Sequence, residues 1–337
     1  MFYRVQILQT QESFDAGPDE SILAAAQRAN VNLAHDCTLG GCGTCRIKLI
    51  EGRVTYSEPP FALTPEEESG GYALACQAMP TSDLVISAAA LADACAEPVR
   101  RTAIISDIRQ LGAGVSHLIL ETPESDAPVY LPGQYMNVLL PDGSTRSFSM
   151  ASAPKGSFVD FHVRRIDGGA FTEGKLPYLR AGDRLEVEFP HGSFVFRARD
   201  DRPLLMVATG TGLAPIKAML ESLMDNPDCP PVSLYWGARS ASDLYLHDEI
   251  QAWGERLYEF RYVPVLSRPD RSWQGCRGYV QDAVVSDLDD LSDYAIYLCG
   301  SPAMIFDAKQ AFITRSAAID HIYTEGFTFQ HAQPAAA

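Results

Sequence analysis

Four cysteines in the first quarter of the chain constrain its fold more than any other feature. Three of them stand in the run Cys37-Thr-Leu-Gly-Gly-Cys42-Gly-Thr-Cys45, and Cys76 follows after a gap of about thirty residues. A C-x4-C-x2-C run with a distant fourth cysteine is the ligand spacing of plant-type 2Fe–2S clusters. Each iron of such a cluster needs two thiolates, so one loop must wrap closely around it. The sequence therefore predicts a one-electron centre held by these four cysteines.

The glycines of this run support the same interpretation. Gly40, Gly41 and Gly43 lack a Cβ and tolerate positive φ, which lets the loop wrap tightly. Their N–H groups can point at the cluster sulfurs, and such hydrogen bonds help to set the reduction potential. The alternatives are a structural zinc site and unrelated buried thiols. Zinc sites usually combine two close cysteine pairs or nearby histidines, whereas Cys76 is followed by Gln77 and Ala78.

Length, charge and cysteine usage bound the class of protein. A chain of 337 residues has room for two or three domains, and its net charge of −16 argues against nucleic acid or anionic membrane as partners. No apolar stretch approaches the roughly 18 residues of a membrane span, and no secretory signal is visible. Cys95, Cys229 and Cys276 have no partner at a recognisable spacing and are expected to be free thiols. We expect a cytoplasmic monomer.

Residues 1–92 are predicted to form a small β-rich domain. It begins with a hairpin in residues 5–14, followed by a helix in residues 21–29. A second, short helix begins at Thr64, where an N-cap threonine, a proline at the first helical position and a capping-box glutamate coincide. The alanine-rich residues 88–98 are interpreted as a linker.

Two further domains are predicted, in residues 98–199 and 202–330. The first contains short apolar runs broken by Gly, Pro and Asp, which is typical of an antiparallel barrel. The second alternates apolar strands with helices, as doubly wound α/β domains do. The predicted strands are residues 104–105, 116–120, 135–140, 158–163, 185–189, 204–208, 232–236, 260–266 and 295–299. The predicted helices of the last domain are residues 214–224, 244–253 and 302–316.

Two segments of the barrel domain carry groups suited to a flavin nucleotide. In Arg146-Ser-Phe-Ser149 the arginine offers a planar fork for a pyrophosphate, the aromatic ring a stacking face and the serine a hydrogen bond to a ring nitrogen. In Gly168-Gly-Ala-Phe-Thr172 the backbone N–H groups could bind a second phosphate. A solvated arginine and a simple turn are the respective alternatives.

Three segments of the α/β domain are candidates for a dinucleotide site. Gly210-Thr-Gly-Leu-Ala-Pro215 joins the first strand to the first helix, where a pyrophosphate would bind, although it is not a full G-x-G-x-x-G. Cys299 ends a later strand, at the sheet edge where such folds bind ligands. Glu325 could bring a carboxylate to the same cleft. An ordinary loop, a small buried cysteine and a solvated charge remain the alternatives.

Taken in this order, the segments resemble the NADH-dependent reductase components of bacterial multicomponent (ring-hydroxylating) oxygenases. The resemblance covers essentially the whole chain. It implies a multidomain α+β and α/β fold, with a β-grasp ferredoxin domain, a six-stranded antiparallel β-barrel for FAD and a doubly wound parallel sheet for NAD(P). The last two form a ferredoxin–NADP⁺-reductase-like module.

The resemblance also implies roles for individual residues. The implied catalytic residues are Ser149, Cys299 and Glu325. Ser149 and Cys299 would position the path of the hydride rather than act as nucleophile or base, and Glu325 matches the family's C-terminal acidic residue. Phe148 stands where the family usually has tyrosine, and Gly326 where a lysine or arginine is common. The implied cofactor-binding residues are Arg146, Ser147, Phe148, Ser149, His162, Val163, Arg164, Gly169, Thr172, Gly210, Thr211, Gly212, Arg239, Arg268 and Phe327.

The preferred nicotinamide is less constrained. Ser267, Arg268, Arg277 and Tyr279 fall where NADP-dependent relatives bind the 2′-phosphate, and arginines there could grip it. Component reductases mostly use NADH, however. NADH is therefore expected, with NADPH possible.

The implied function is a reductase that passes electrons from NAD(P)H to FAD, to the 2Fe–2S cluster and then to a terminal oxygenase or its ferredoxin. One alternative is the same chemistry for another acceptor, such as a sugar-deoxygenating dehydratase. Another is a non-catalytic iron–sulfur and flavin redox sensor. The cluster is expected to be the exit of the chain, with residues 40–43 and their acidic surroundings as the docking surface. The aromatic substrate of the oxygenase cannot be read from this chain.

Overall fold

The computed structural model describes residues 2–88, 96–112, 114–122 and 129–327, which form three main sheets. Most of the predicted linker, and Cys95 with it, lies outside the described residues. Cys229 and Cys276 are free thiols, as the sequence predicts. Among the described residues, no helix has both the length and the apolar character that a membrane crossing requires.

The first sheet carries the cysteine domain, and its strand order is β2-β1-β7-β3-β5. Strands β1 and β7 are parallel and the other neighbours are antiparallel. The strands are β1 (Tyr3–Ile7), β2 (Ser13–Ala16), β3 (Arg46–Glu51), β4 (Val54–Thr55), β5 (Tyr72–Leu74), β6 (Met79–Pro80) and β7 (Leu84–Ala88), with β4 paired to β6. Helix α1 (Ile22–Arg28) buries its apolar face in the domain core. Helix α2 (Pro65–Ser69) begins with the predicted capping box between Thr64 and Glu67.

The second sheet is an antiparallel barrel with strand order β11-β10-β13-β8-β9-β12. Its strands are β8 (Val99–Gly112), β9 (Val115–Glu121), β10 (Tyr135–Leu139), β11 (Thr145–Ser149), β12 (Phe158–Arg164) and β13 (Arg184–His191). A bridge between Met150 and Phe161 joins the two edge strands and closes the barrel. Strand β8 is much longer than the two residues that the sequence suggests, because polar side chains alternate along it and interrupt the apolar run.

The third sheet is fully parallel, with strand order β17-β16-β15-β14-β18-β19. Its strands are β14 (Leu204–Thr209), β15 (Val232–Ala238), β16 (Phe260–Leu266), β17 (Cys276–Arg277), β18 (Ala295–Gly300) and β19 (Ile322–Gly326). Its helices are α3 (Leu213–Leu223), α4 (His247–Gln251), α5 (Val280–Asp287) and α6 (Pro302–Ile313). Alternate residues of β14 face opposite cores: Met206 packs with α3, and Val207 with α5 and α6. This is the predicted doubly wound arrangement.

Four elements of this domain differ from the sequence prediction. The helix predicted for residues 244–253 is only five residues long and continues as a 3-10 turn. Helix α5 and strands β17 and β19 were not predicted at all. β19 matters most, because it places Glu325 on a strand beside β18 instead of in a solvated tail.

Candidate functional site

The four predicted cluster ligands meet in two pairs. Cys37 lies within hydrogen-bonding distance of Cys42, and Cys45 of Cys76. Cys37 is half-buried and the other three are buried. Within the part of the chain that the structure describes, no three histidine, cysteine or carboxylate side chains are grouped to hold one metal ion. Two thiol pairs are the arrangement that two irons require, so the residues fit a 2Fe–2S cluster.

The backbone of the loop favours a thiolate at Cys37. Leu39 N donates to Cys37 Sγ over 3.4 Å. The Cys42 thiol, and then backbone N–H groups of the loop, lower the pKa of Cys37 to about 5. Gly40 and Gly43 use the positive φ that glycine tolerates, whereas Gly41 does not.

The predicted docking face of residues 40–43 is packed inside the protein. A Cβ on Gly40 would lie 3.2 Å from Pro60 Cβ, and one on Gly43 would lie 3.0 Å from Thr324 Oγ1. The Thr324 hydroxyl in turn donates to Cys42 O over 2.9 Å. The prediction of an exposed glycine face is therefore wrong, because β19 and the 57–62 loop cover it. The exposed part of the loop is Thr38 and Leu39, and the latter is 74% accessible.

A cleft of about 370 Å³ separates the cysteine loop from the barrel. Cys37 and Cys42 lie on one wall. The predicted flavin residues that line it are Arg146, Ser147, Phe148, Ser149, His162, Arg164, Gly169 and Thr172, and Phe327 lies at its end. The Phe148 ring packs on Phe171, with ring centroids 5.2 Å apart. The cluster ligands and the flavin residues thus share one cleft.

Val163 is the exception among the predicted flavin residues. Side chains alternate along β12, so His162 and Arg164 face the cleft while Val163 points into the barrel core, where it is 1% exposed. A strand turns successive residues to opposite faces, so only the backbone of Val163 can reach the flavin, and its role there stays a prediction.

Ser149 and Glu325 connect the barrel to the third sheet. Ser149 Oγ donates to Glu325 Oε1 over 3.0 Å, and both side chains are buried. Cys299 pairs with Glu325 across β18 and β19 and is fully buried. Burial, and then nearby Asp36, raises the pKa of Glu325 well above its ordinary value. Glu325 Oε2 is buried and, among the described residues, has no hydrogen-bond partner, which leaves an open position for a ligand group.

Removal of the Glu325 charge should change how stability depends on pH. The pKa of Glu325 is raised in the folded protein. The contribution of this group to the free energy of unfolding is therefore complete below the ordinary pKa of 4.5, and it is lost as the pH rises toward the folded pKa. Within that window each pH unit costs the wild type about 1.4 kcal/mol relative to Glu325→Gln. The urea midpoint of Glu325→Gln, relative to that of the wild type, should therefore be higher at pH 8 than at pH 5. Exposed Glu255→Gln is the control, and an equal pH response of wild type and Glu325→Gln would contradict the assignment.

The glycine loop of the third domain packs against the end of β18. Gly210 has φ 55°, and Trp236 Nε1 donates to Gly210 O over 2.9 Å. A Cβ on Gly212 would lie 2.3 Å from Cys299 O, so only glycine lets the loop approach this strand. The loop borders a second cleft of about 410 Å³. Arg164, Thr211 and Phe327 line both clefts, so the two clefts are adjacent.

The residues that are predicted to lie near the 2′ position of the dinucleotide ribose separate into two groups. Arg239, Ser267 and Tyr279 line the second cleft. Arg268 is exposed and does not line it, although its backbone N donates to Arg239 O over 2.8 Å. The Arg277 guanidinium instead donates to the carbonyls of its own loop. Neither arginine lines the cleft, and their contact with a 2′-phosphate stays a prediction.

Several residues of the site were missed from the sequence. Tyr135 and Asn137 line the first cleft, and their alternation with buried residues of β10 was the available signal. Tyr245 lies between the barrel and the third sheet, where its hydroxyl is 3.1 Å from His162 Nδ1 and its ring meets Trp236 edge-on. Burial lowers the pKa of His162 to about 3, so its ring is neutral. No local pattern marks Tyr245, because its partners are distant in sequence.

Gly326 stands where a lysine or arginine is common, and it lies against the cysteine loop. A Cβ at this position would make an ordinary contact of 3.4 Å with Cys42 Cα. The end of β19 therefore packs directly on the loop.

Comparison with known proteins agrees with this geometry. Family models match a 2Fe–2S iron–sulfur cluster binding domain at residues 5–81, an oxidoreductase FAD-binding domain at residues 102–196 and an oxidoreductase NAD-binding domain at residues 206–310. The fold and site therefore define an iron–sulfur flavoprotein oxidoreductase with a 2Fe–2S cluster, FAD and a nicotinamide dinucleotide as its cofactors.

Relatives along nearly the whole chain specify the family. The reductase component DmpP of phenol 2-monooxygenase from Pseudomonas sp. is 36% identical over 90% of this chain and 88% of its own length. The CDP-6-deoxy-L-threo-D-glycero-4-hexulose-3-dehydrase reductase of Yersinia pestis is 33% identical over 93% of this chain and 95% of its own. The crystal structure of the Amycolatopsis cytochrome P450 reductase GcoB, 30% identical, covers 96% of this chain and 98% of its own with a TM-score of 0.70. The chain belongs to the family of reductases in which a ferredoxin domain precedes a ferredoxin–NADP⁺-reductase-like module.

Proposed function

We propose that this protein takes electrons from NADH and passes them, through FAD and then the 2Fe–2S cluster, to a terminal oxygenase component or its ferredoxin. One observation supports this most. Cys37 and Cys42 share a cleft with the flavin residues of β11, and that cleft shares lining residues with the adjacent dinucleotide cleft. FAD, when bound, converts a two-electron donor into a source of single electrons, and the cluster carries one electron at a time.

The chain's own residues position and enclose these groups. Arg146 and Ser147 would hold the flavin nucleotide on β11. Gly169 lets the neighbouring turn close tightly, because a Cβ there would lie 2.4 Å from Thr172 Oγ1. Thr172 orders this turn, since its hydroxyl accepts from Ile166 N over 3.1 Å.

At the nicotinamide, Ser149 and Glu325 would fix the ring edge. Cys299 would close the wall behind the reacting carbon. The thiol stays protonated, because burial raises its pKa. We assign these groups positioning roles in the transfer, without a proton step.

We further propose a preference for NADH. Asp243 lines the dinucleotide cleft together with Arg239, and its carboxylate is held by Ser240 N over 2.9 Å. A carboxylate beside the ribose accepts a hydrogen bond from the 2′-hydroxyl and repels a 2′-phosphate. The domains are proposed to extend over residues 1–92, 98–199 and 202–330, in a cytoplasmic monomer that serves aromatic hydrocarbon catabolism.

A second candidate has support from the Yersinia pestis relative, which is named as a dehydrase reductase and matches this chain over almost its full length. In that case the acceptor would be a sugar-deoxygenating dehydratase. The internal electron path would be the same. The two candidates therefore differ only in the protein that docks.

The test is turnover by the purified holoprotein. We expect flavin and 2Fe–2S absorption bands, and NADH-dependent reduction of ferricyanide and cytochrome c with a higher kcat/KM than NADPH gives. A protein with both cofactors that turns over neither nicotinamide would be a redox sensor and would contradict the proposal. Reconstitution with the oxygenase or dehydratase encoded beside the gene then distinguishes the two acceptors.

A further inference from the structure

Three charged side chains form a buried group between the cysteine domain and α6, here called the Arg46–Glu67–Lys309 triad. Glu67 Oε1 accepts from Arg46 Nη1 over 2.7 Å, and Glu67 Oε2 lies 2.6 Å from Lys309 Nζ. Glu67 is 0% exposed and Lys309 is 1% exposed. Charges are rarely buried to this degree unless they are paired, so the three side chains depend on one another.

The triad is attached to the cysteine loop at two points. Arg46 directly follows the ligand Cys45. On the other side, Lys309 Nζ donates to Ala62 O over 2.6 Å, and Ala62 N donates to Gly40 O over 2.9 Å. The Lys309 ammonium, on a helix of the third domain, is therefore connected to the cysteine loop through a single intervening residue, Ala62.

The triad carries a net positive charge. Burial lowers the pKa of Lys309 to about 8, the charge of Glu67 opposes that lowering and the charge of Arg46 adds to it, so the ammonium is charged at pH 7. Two cations and one carboxylate give the triad itself one net positive charge. In the protein interior this charge is screened far less than a surface charge would be.

One-electron reduction adds a negative charge to a cluster whose sulfurs are already negative. We propose that the Arg46–Glu67–Lys309 triad sets the reduction potential of the cluster, with Lys309 of the nicotinamide domain favouring the reduced form and Glu67 opposing it. The proposal requires the cluster but is independent of the acceptor. Lys309 acts as a positioning and electrostatic residue and does not line the flavin cleft.

The test is an anaerobic redox titration at pH 7, in which electron paramagnetic resonance follows the reduced cluster in the holoprotein. Lys309→Met removes a positive charge and should lower the potential, whereas Glu67→Gln removes the negative charge and should raise it. The double variant Glu67→Gln/Lys309→Met restores the net charge of the triad, so its potential should return close to that of the wild type. The flavin midpoint, read by absorbance in the same titration, should stay unchanged.

Two controls separate this effect from simple loss of structure. Lys309→Arg keeps the charge and should keep the potential. Arg256→Gln breaks the exposed pair with Asp225 in the same domain and should change nothing. Shifts of the same sign in Lys309→Met and Glu67→Gln, or no shift in either, would overturn the proposal. If Glu67→Gln fails to fold, the decrease in Lys309→Met and its absence in Lys309→Arg remain decisive. Neither outcome depends on whether an oxygenase or a dehydratase is the acceptor.

Discussion

Cys76→Ser should abolish electron delivery to a one-electron protein acceptor while NADH still reduces the flavin. Cys76 pairs with Cys45, so its loss leaves one iron with a single thiolate. The flavin residues lie on the barrel and should keep their ligand. We expect cytochrome c reduction to fall by at least about a hundredfold, since even outer contacts of metal ligands are worth up to that much. Ferricyanide reduction, which can draw electrons from the flavin, should persist.

Spectra and iron content provide the measurement for this variant. Cluster absorbance and bound iron should disappear, and the flavin bands should remain. Cys229→Ser is the matched control, because Cys229 is another buried free thiol but lies in the core of the third domain. A Cys76→Ser protein with an intact cluster, or a Cys229→Ser protein without one, would show that the ligands are wrongly assigned.

Gly212→Ala should impair the use of NADH more than the addition of a methyl group anywhere else in the glycine loop of the third domain. The new Cβ would lie 2.3 Å from Cys299 O, which is backbone and cannot turn aside. The loop must therefore move away from β18 and carry with it the N–H groups that are predicted to face the phosphate. A displacement of about 1 Å can cost a hundredfold, so kcat/KM for NADH should fall by about that factor.

The control for this variant is Gly254→Ala in the same domain. A Cβ at Gly254 has an ordinary contact of 3.8 Å with the Phe260 ring, and its φ is not positive. Stopped-flow measurement of flavin bleaching by NADH compares the two proteins directly. Equal rates for Gly212→Ala and the wild type would mean that the loop does not contact the dinucleotide.

The cysteine loop was predictable because all of its information is local. Ligand spacing and glycine positions lie within nine residues, and only Cys76 comes from elsewhere. The capping box at Thr64 was equally local and is present. The exposed docking face was predicted wrongly, because the burial of residues 40–43 depends on packing between domains. The inward orientation of the Val163 side chain, in contrast, follows from strand alternation alone.

Long-range partners explain the rest of what the sequence did not reveal. Lys309 on a helix would normally be assigned to solvent, yet its partner Ala62 is 247 positions away in the chain. The position of Glu325 in the site depends on β19, and this strand is too short and too polar to be recognised from the sequence. Ser149 and Glu325 were related by the family resemblance, and no pattern within the chain could have paired them.

The buried triad also limits how such reductases can exchange modules. A chimera that takes its ferredoxin domain from a relative would carry new residues at positions 46 and 67 but keep Lys309 on α6. Unless the incoming domain supplied a carboxylate at the same place, that lysine would be left as an unpaired charge in a dry interface. A chimera within this family should therefore fold best when α6 is exchanged together with the first domain. The first domain and this helix, which is distant in sequence, then have to be inherited as one unit.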